Sequence, residues 1–189
     1  MQDIKVSLPI LKALLLTAGK NDARIFLNGI HFEHTEHGVI AITTDGHRMT
    51  CARLDYEGEE FAPFTLHRDM LSGLKSRYDV AINHTENIVS ITAENSTTRA
   101  PENLGAWPEW RRIIPRHFSG QPASYNYDYL GDVGKAMKLL SCKSRAIVQN
   151  GDRGAMINLT DDIFIFIMPI REGEDYVMPT TPPIWTGRL

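Results

Sequence analysis

Two stretches of the sequence bring together side chains with chemical potential. His31, His34 and His37 alternate with Glu33 and Glu36, and imidazole and carboxylate are ordinary ligands of zinc. On a strand, however, His34 points to the face opposite His31 and His37, and Gly38 sets a turn just beyond. A solvated hairpin therefore accounts for the cluster better than a metal centre, and no metal is expected. Thr44-Asp45-Gly46-His47-Arg48 sets a turn-forming Asp-Gly between two strands, and an aspartate near a histidine is the material of general acid-base catalysis. No nucleophile, phosphate-binding loop or second carboxylate accompanies the pair, so no catalytic residue is assigned and the chain is read as a non-enzyme without a cofactor.

A third stretch, Trp107-Pro108-Glu109-Trp110-Arg111-Arg112, interleaves aromatic and basic residues. Such residues stack on nucleic-acid bases or on each other. By composition alone a linker packed on the fold is the simpler account. Cations recur at three expected helices: Lys12 and Lys20, then Arg68, Lys75 and Arg77, then Lys135, Lys138 and Lys143. Acidic residues gather elsewhere, between Asp55 and Glu60 and between Glu172 and Asp175. Three helices sharing one surface would offer those cations to DNA phosphates, although a solvated helix face has much the same composition.

These groups need a scaffold, and the chain is long enough to make one. A chain of 189 residues buries about 70% of its unfolded surface, enough for one large domain or two small ones. Hydrophobic residues at 42% and charged residues at 23% exclude disordered and fibrous classes. No apolar run reaches the roughly 18 residues of a membrane span, and no secretory signal is evident, so a cytoplasmic location is expected. Cys51 and Cys142 stand far apart without CxxC spacing, which argues for two thiols. Without a secretory route, the triplets at Asn83, Asn95 and Asn158 carry no glycosylation meaning. The formal charge of -3 does not favour generic polyanion binding, but it is a sum in which a basic face can be hidden.

The pattern repeats about every sixty residues: a short strand, an amphipathic helix, then alternating strands. In the first unit Ile4 to Val6 leads to Ser7 as N-cap, with Pro9 in the first turn and Ile10, Leu11, Leu14 and Leu15 at helical spacing, and Gly19 is expected to end the helix. Strands follow at 23–33, 38–43 and 48–54. In the second, strand 63–66 precedes a helix carrying Met70, Leu71 and Leu74, then strands 79–83, 88–93 and 97–100. In the third, strand 123–127 precedes Asp128 as N-cap and a helix with Leu130, Val133, Met137 and Leu140, weakened by Gly131 and Gly134, then strands 146–149, 155–159 and 163–167. Three β-α-β-β-β units predict an α+β fold with helices on one side of mostly antiparallel sheets.

Three passages then acquire a common meaning: Arg24-Ile25-Phe26-Leu27-Asn28-Gly29-Ile30-His31-Phe32-Glu33, Ala41-Ile42-Thr43-Thr44-Asp45-Gly46-His47-Arg48-Met49, and Trp107-Pro108-Glu109-Trp110-Arg111-Arg112-Ile113-Ile114-Pro115. In order and spacing they resemble the middle domain of the bacterial DNA polymerase III beta subunit, the sliding clamp. Tyr125-Asn126-Tyr127-Asp128-Tyr129-Leu130 and Phe166-Ile167-Met168-Pro169-Ile170-Arg171 resemble the last helix and final strand of that family's third domain. The resemblance spans residues 4 to 171. It implies the DNA clamp fold, with 1–115 a complete clamp domain of two units, 116–171 half a domain and 172–189 a C-terminal tail. It also replaces the hairpin that Asn28-Gly29 suggests locally by a continuing strand.

The resemblance implies a groove for the clamp-binding peptides of polymerases and repair proteins, at Leu27, Thr44, Gly46, His47, Arg48, Met49, Pro108, Arg112, Ile113, Phe166, Met168, Pro169 and Ile170. Apolar walls suit capture of peptide anchors, while a few polar groups orient the backbone. It implies encircled double-stranded DNA, met by Lys12, Lys20, Arg24, Arg68, Lys75, Arg77, Lys135 and Lys138, and a clamp loader as partner. Ile25 and Phe26 stand where the family has aromatics approaching DNA, so a hydroxyl contact to phosphate is lost there. Residues 116–124 leave no room for the first half of a third domain. The family ring contains about twelve units, so four copies of a three-unit chain would complete it as a homotetramer. The alternative is a non-encircling regulator, of phage or bacterial origin, that sequesters clamp-binding partners. The tail, through Ile184 and Trp185, would either fill the groove or bridge protomers.

Overall fold

The computed structural model describes residues 2–94, 96–102, 105–143 and 145–171. The expectations for 172–189 lie outside the described residues. Among the described residues, ten strands and two α-helices run in the order β1 Ile4–Val6, α1 Leu8–Leu14, β2 Gly29–Thr35, β3 Gly38–Thr44, β4 Arg48–Leu54, β5 Phe64–His67, β6 Val80–Thr85, β7 Ile88–Ala93, β8 Ser96–Pro101, α2 Tyr127–Leu139, β9 Ala155–Asn158 and β10 Ile163–Ile167. Every strand pairing is antiparallel. The expected α+β class is the observed one.

Two sheets form, one of four strands in the order β1-β6-β7-β8 and one of six in the order β5-β2-β3-β4-β10-β9. Alternate residues of a strand face opposite sides, and the six-stranded sheet uses both. Ile30, Phe32, Val39, Ala41, Ala52, Leu54, Ile163, Ile165 and Ile167 join the main core, shared with Leu8, Leu11 and Leu14 of α1 and with Val80, Ile82, Val89 and Ile91 of the smaller sheet. The alternate residues Ile42, Met49 and Phe166 make a second cluster on the other face, covered by Trp107, Trp110, Ile114 and Phe118. α1 packs on β3 and β4 and against α2, so the third unit's helix completes a layer begun by the first.

Several local expectations are corrected. The helix anticipated around Met70 and Leu71 is only a 3-10 turn, Arg68–Leu71, because Ser72 is already extended and Gly73 follows at φ +72°. α1 stops at Leu14 with Leu15 as C-cap, not at Gly19. Residues 23–28 are no strand: a 3-10 turn, Ile25–Leu27, ends in Asn28, and β2 starts at Gly29, so Asn28-Gly29 is neither hairpin nor strand interior. Asn28 instead closes the preceding loop, accepting the Asp22 N–H at 2.9 Å and donating to the Asp22 carbonyl at 2.8 Å. The segment expected as strand 123–127 is not one, and at 146–149 a single bridge, Val148 to Met156, stands in place of a strand. α2 forms despite its glycines, but its N-cap is Asn126, whose side chain accepts the Asp128 N–H at 2.8 Å.

Candidate functional site

The register of β4 against β10 pairs Met49 with Phe166 and Arg48 with Ile167, and the Met168 N–H donates to the His47 carbonyl at 2.9 Å. One ladder thus sets Thr44 to Met49 beside Phe166 to Met168. The connecting turn holds itself. Thr44 Oγ1 donates to the Arg48 carbonyl at 2.7 Å and accepts the Gly46 N–H at 3.0 Å, and Asp45 Oδ1 accepts the N–H groups of His47 and Arg48 at 2.9 and 3.1 Å. Gly46 sits at φ +95°, the left-handed region that favours glycine. Asp45 is thereby occupied as a turn former, which removes it from the acid-base role its sequence neighbourhood suggested.

Arg48 ties the turn to the helices. Its Nε donates to Asp45 Oδ2 at 3.0 Å, Nη1 to Asp132 Oδ2 at 2.7 Å and Nη2 to the Leu16 carbonyl at 3.0 Å, while Cζ lies 4.4 Å over the Tyr129 ring. Burial alone would lower its pKa, but the two carboxylates outweigh that and hold it above the ordinary value. The arginine is a fixed strut, and the Tyr129 ring beneath its guanidinium lies 6.5 Å from the His47 ring between centroids.

The anticipated groove residues divide accordingly. Gly46 and His47 are exposed, Thr44, Arg48, Met168 and Pro169 are half-buried, and Ile170 is 50% exposed, its N–H donating to the Ser124 carbonyl at 2.8 Å. Pro108, Arg112 and Ile113 are exposed on the segment that covers the outer cluster. Leu27, Met49 and Phe166 are buried to 2% exposure or less, so they do not offer a surface. Sequence reasoning missed Tyr129 and Asp132, whose partner Arg48 is 84 residues away from Asp132. It also missed the role of Trp107, which stacks on His31 at 4.7 Å with an interplanar angle of 2°. His31 is consequently buried, not part of a solvated hairpin, and burial lowers its pKa to about 4; His34 rests against Tyr56 and Phe61.

The cations separate in the same way. Lys12 on α1 and Lys138 on α2 are exposed on two helices that pack together, and Lys20, Lys75 and Arg77 are exposed in loops. Lys135 pairs with Asp132 at 2.6 Å and Arg24 with Asp22 at 2.8 Å. Arg68 donates inward to the Ala18 and Gly19 carbonyls, which corrects its assignment to an outward basic face. Among the described residues there are two α-helices, and the second unit adds none to that face. Among the described residues no group of histidine, cysteine or carboxylate could hold a metal ion, and no helix is long and apolar enough to cross a membrane.

A helical layer against two antiparallel sheets, with strands of the first and third units paired across a common sheet, is the architecture of the DNA sliding clamps. The DNA polymerase sliding clamp of Pseudomonas aeruginosa superposes with a TM-score of 0.69 at 15% identity, over 90% of this chain and 66% of that one. The DNA polymerase III beta subunit of Thermotoga maritima gives 0.70 at 16%, over 92% and 66%, and the pol III beta of Caulobacter crescentus 0.71 at 13%, over 91% and 67%. The chain spans about two thirds of the length of these clamps. Residues 9–100 match the family model of the DNA polymerase III beta subunit, central domain. Among curated proteins no sequence match was found.

Proposed function

We propose that this protein is a clamp subunit that assembles into a ring on duplex DNA and docks the clamp-binding peptides of polymerases and repair proteins at the β4–β10 junction. The observation that carries the reading is the β4–β10 ladder, which sets His47 and the strut Arg48 beside the half-buried Met168 and Pro169. Partly exposed apolar side chains beside a fixed polar group suit an anchoring peptide. In this reading residues 1–115 are one clamp domain and 116–171 half of another.

Sheet ends support the ring. β8 terminates the four-stranded sheet and β9 the six-stranded one, and unpaired strand edges are satisfied by pairing with a neighbouring copy. A head-to-tail join of β8 to β9 would close four copies into a ring, loaded by a clamp loader, with Lys12 and Lys138 turned to the phosphates. Light scattering across micromolar concentrations, run with a fluorescent clamp-binding peptide and a retention assay on circular DNA, tests this. A tetramer retained on circles is the expected result. A monomer that binds the peptide but leaves the circles would replace the ring with partner sequestration, and absence of peptide binding would remove the groove itself.

A further inference from the structure

A wide cleft lies at the opposite end of the same strand pair. It has a volume of about 860 Å³ and is bounded by the ends of β1, β4 and α2, the start of α1 and the turn into β10. We propose that this cleft docks a lysine- and arginine-rich peptide segment carrying an apolar anchor, a binding site separate from the β4–β10 groove and independent of the clamp reading.

The floor is apolar. Leu54 and Ile163 are buried at its base, and Ile10, Leu139 and Leu140 are half-buried around it. The rim is acidic. Asp3, Asp55, Glu57 and Asp79 arrive from three separated stretches of chain and are all exposed. Of the two cations at the cleft, Arg53 is already engaged, its Nε donating to Asp162 Oδ1 at 2.8 Å. Lys5 is left against four carboxylates. Such a rim repels nucleic acid, and the described residues hold no carboxylate grouping fit for a metal ion. Carboxylates around an apolar base attract a cationic chain and leave room for a buried side chain, and the volume falls within the roughly 300–1,000 Å³ of binding cavities. Convergence matters here: a merely solvated acidic surface has no reason to ring an apolar floor.

The test uses the full chain and a fluorescein-labelled pentapeptide with a central leucine flanked by Lys-Arg pairs, followed by anisotropy. Saturable binding that weakens with added salt is expected. It should fall about tenfold in the double variant Asp55→Asn, Glu57→Gln, whose floor is untouched. It should fall several-fold for the peptide with glycine in place of leucine. No saturable binding, an unchanged affinity in the double variant, or equal binding of the glycine peptide would each overturn the proposal. Because the wild type alone reports the salt and leucine dependence, misfolding of a variant leaves the result decisive. Loss of peptide capture at the β4–β10 groove would not alter it.

Discussion

Asp132 of α2 accepts the Arg48 Nη1 hydrogen bond at 2.7 Å, and both side chains are less than one fifth exposed. This contact joins the first unit's strand β4 to the third unit's helix. Arg48 also borders the proposed peptide groove, so the bridge that holds the two units together is the one that fixes the groove's rim.

Removing the charge at Asp132 should loosen that junction. Asp132→Asn leaves Arg48 with Asp45 and the Leu16 carbonyl, so the loss is smaller than for a fully orphaned buried charge, about 1–2 kcal/mol in urea denaturation. The double variant with Arg48→Met should cost less than the sum of the single changes, because the pair acts as a unit. Burial pushes the Asp132 carboxyl up, but hydrogen bonds from Lys135 and Arg48 outweigh it and hold the pKa below 3.8. A lowered carboxylate pKa stabilises the fold above the unfolded value and loses that contribution as pH falls through the folded value. The single variant should therefore lose its deficit in strong acid.

His31 carries a second pH dependence, in a different window. Its imidazole, stacked on Trp107 and 3.0 Å from Thr65 Oγ1, has a pKa lowered from 6.5 to about 4 by burial. The unfolded chain takes up the proton first, so stability is complete above pH 6.5 and drains away as pH falls from there toward 4. The full effect is about 3 kcal/mol. Chemical denaturation from pH 7.5 to 4, followed by tryptophan fluorescence, should show this slope in the wild type and a flatter one in His31→Phe. Equal slopes would mean that the ring is not protected by Trp107.

How much of this was legible in the sequence depended on how far each decision reached. β4, β7 and β10 have the bounds that apolar alternation assigned them, since a strand with a buried face announces its period within a few residues. The second unit's helix failed because the spacing of Met70, Leu71 and Leu74 suits a single turn as well as a helix, and Ser72-Gly73 settled it. The burial of His31 depends on Trp107, and the fixing of Arg48 depends on Asp132. Such long-range pairs leave no local mark. The positions of the proposed groove came only from the family resemblance, and that resemblance could not say that Leu27, Met49 and Phe166 are buried.

The two thiols should differ sharply in reactivity. Burial, with the nearby Glu33 carboxylate adding to it, pushes the Cys51 pKa up to about 12, so almost no thiolate exists at neutral pH. Cys142 is half-buried past the end of α2. Native protein treated with Ellman's reagent should release one equivalent quickly and the second only at the rate of unfolding. Two fast equivalents would show that the outer cluster over β4 opens readily.

Two glycines separate backbone necessity from mere tolerance. Gly29 pairs with His67 at the start of β2, and a Cβ there would stand 2.3 Å from the Leu66 carbonyl oxygen. Backbone cannot yield as a flexible side chain can, so Gly29→Ala should destabilise by about 2–4 kcal/mol. Gly131 lies exposed within α2, with nothing within 4 Å of an added methyl. Gly131→Ala should instead stabilise by about 0.5–1 kcal/mol, because alanine loses less backbone entropy in a helix. Urea titrations of the two variants should therefore move in opposite directions from the wild type. A stabilised Gly29→Ala would mean that β2 and β5 do not approach as closely as their register requires.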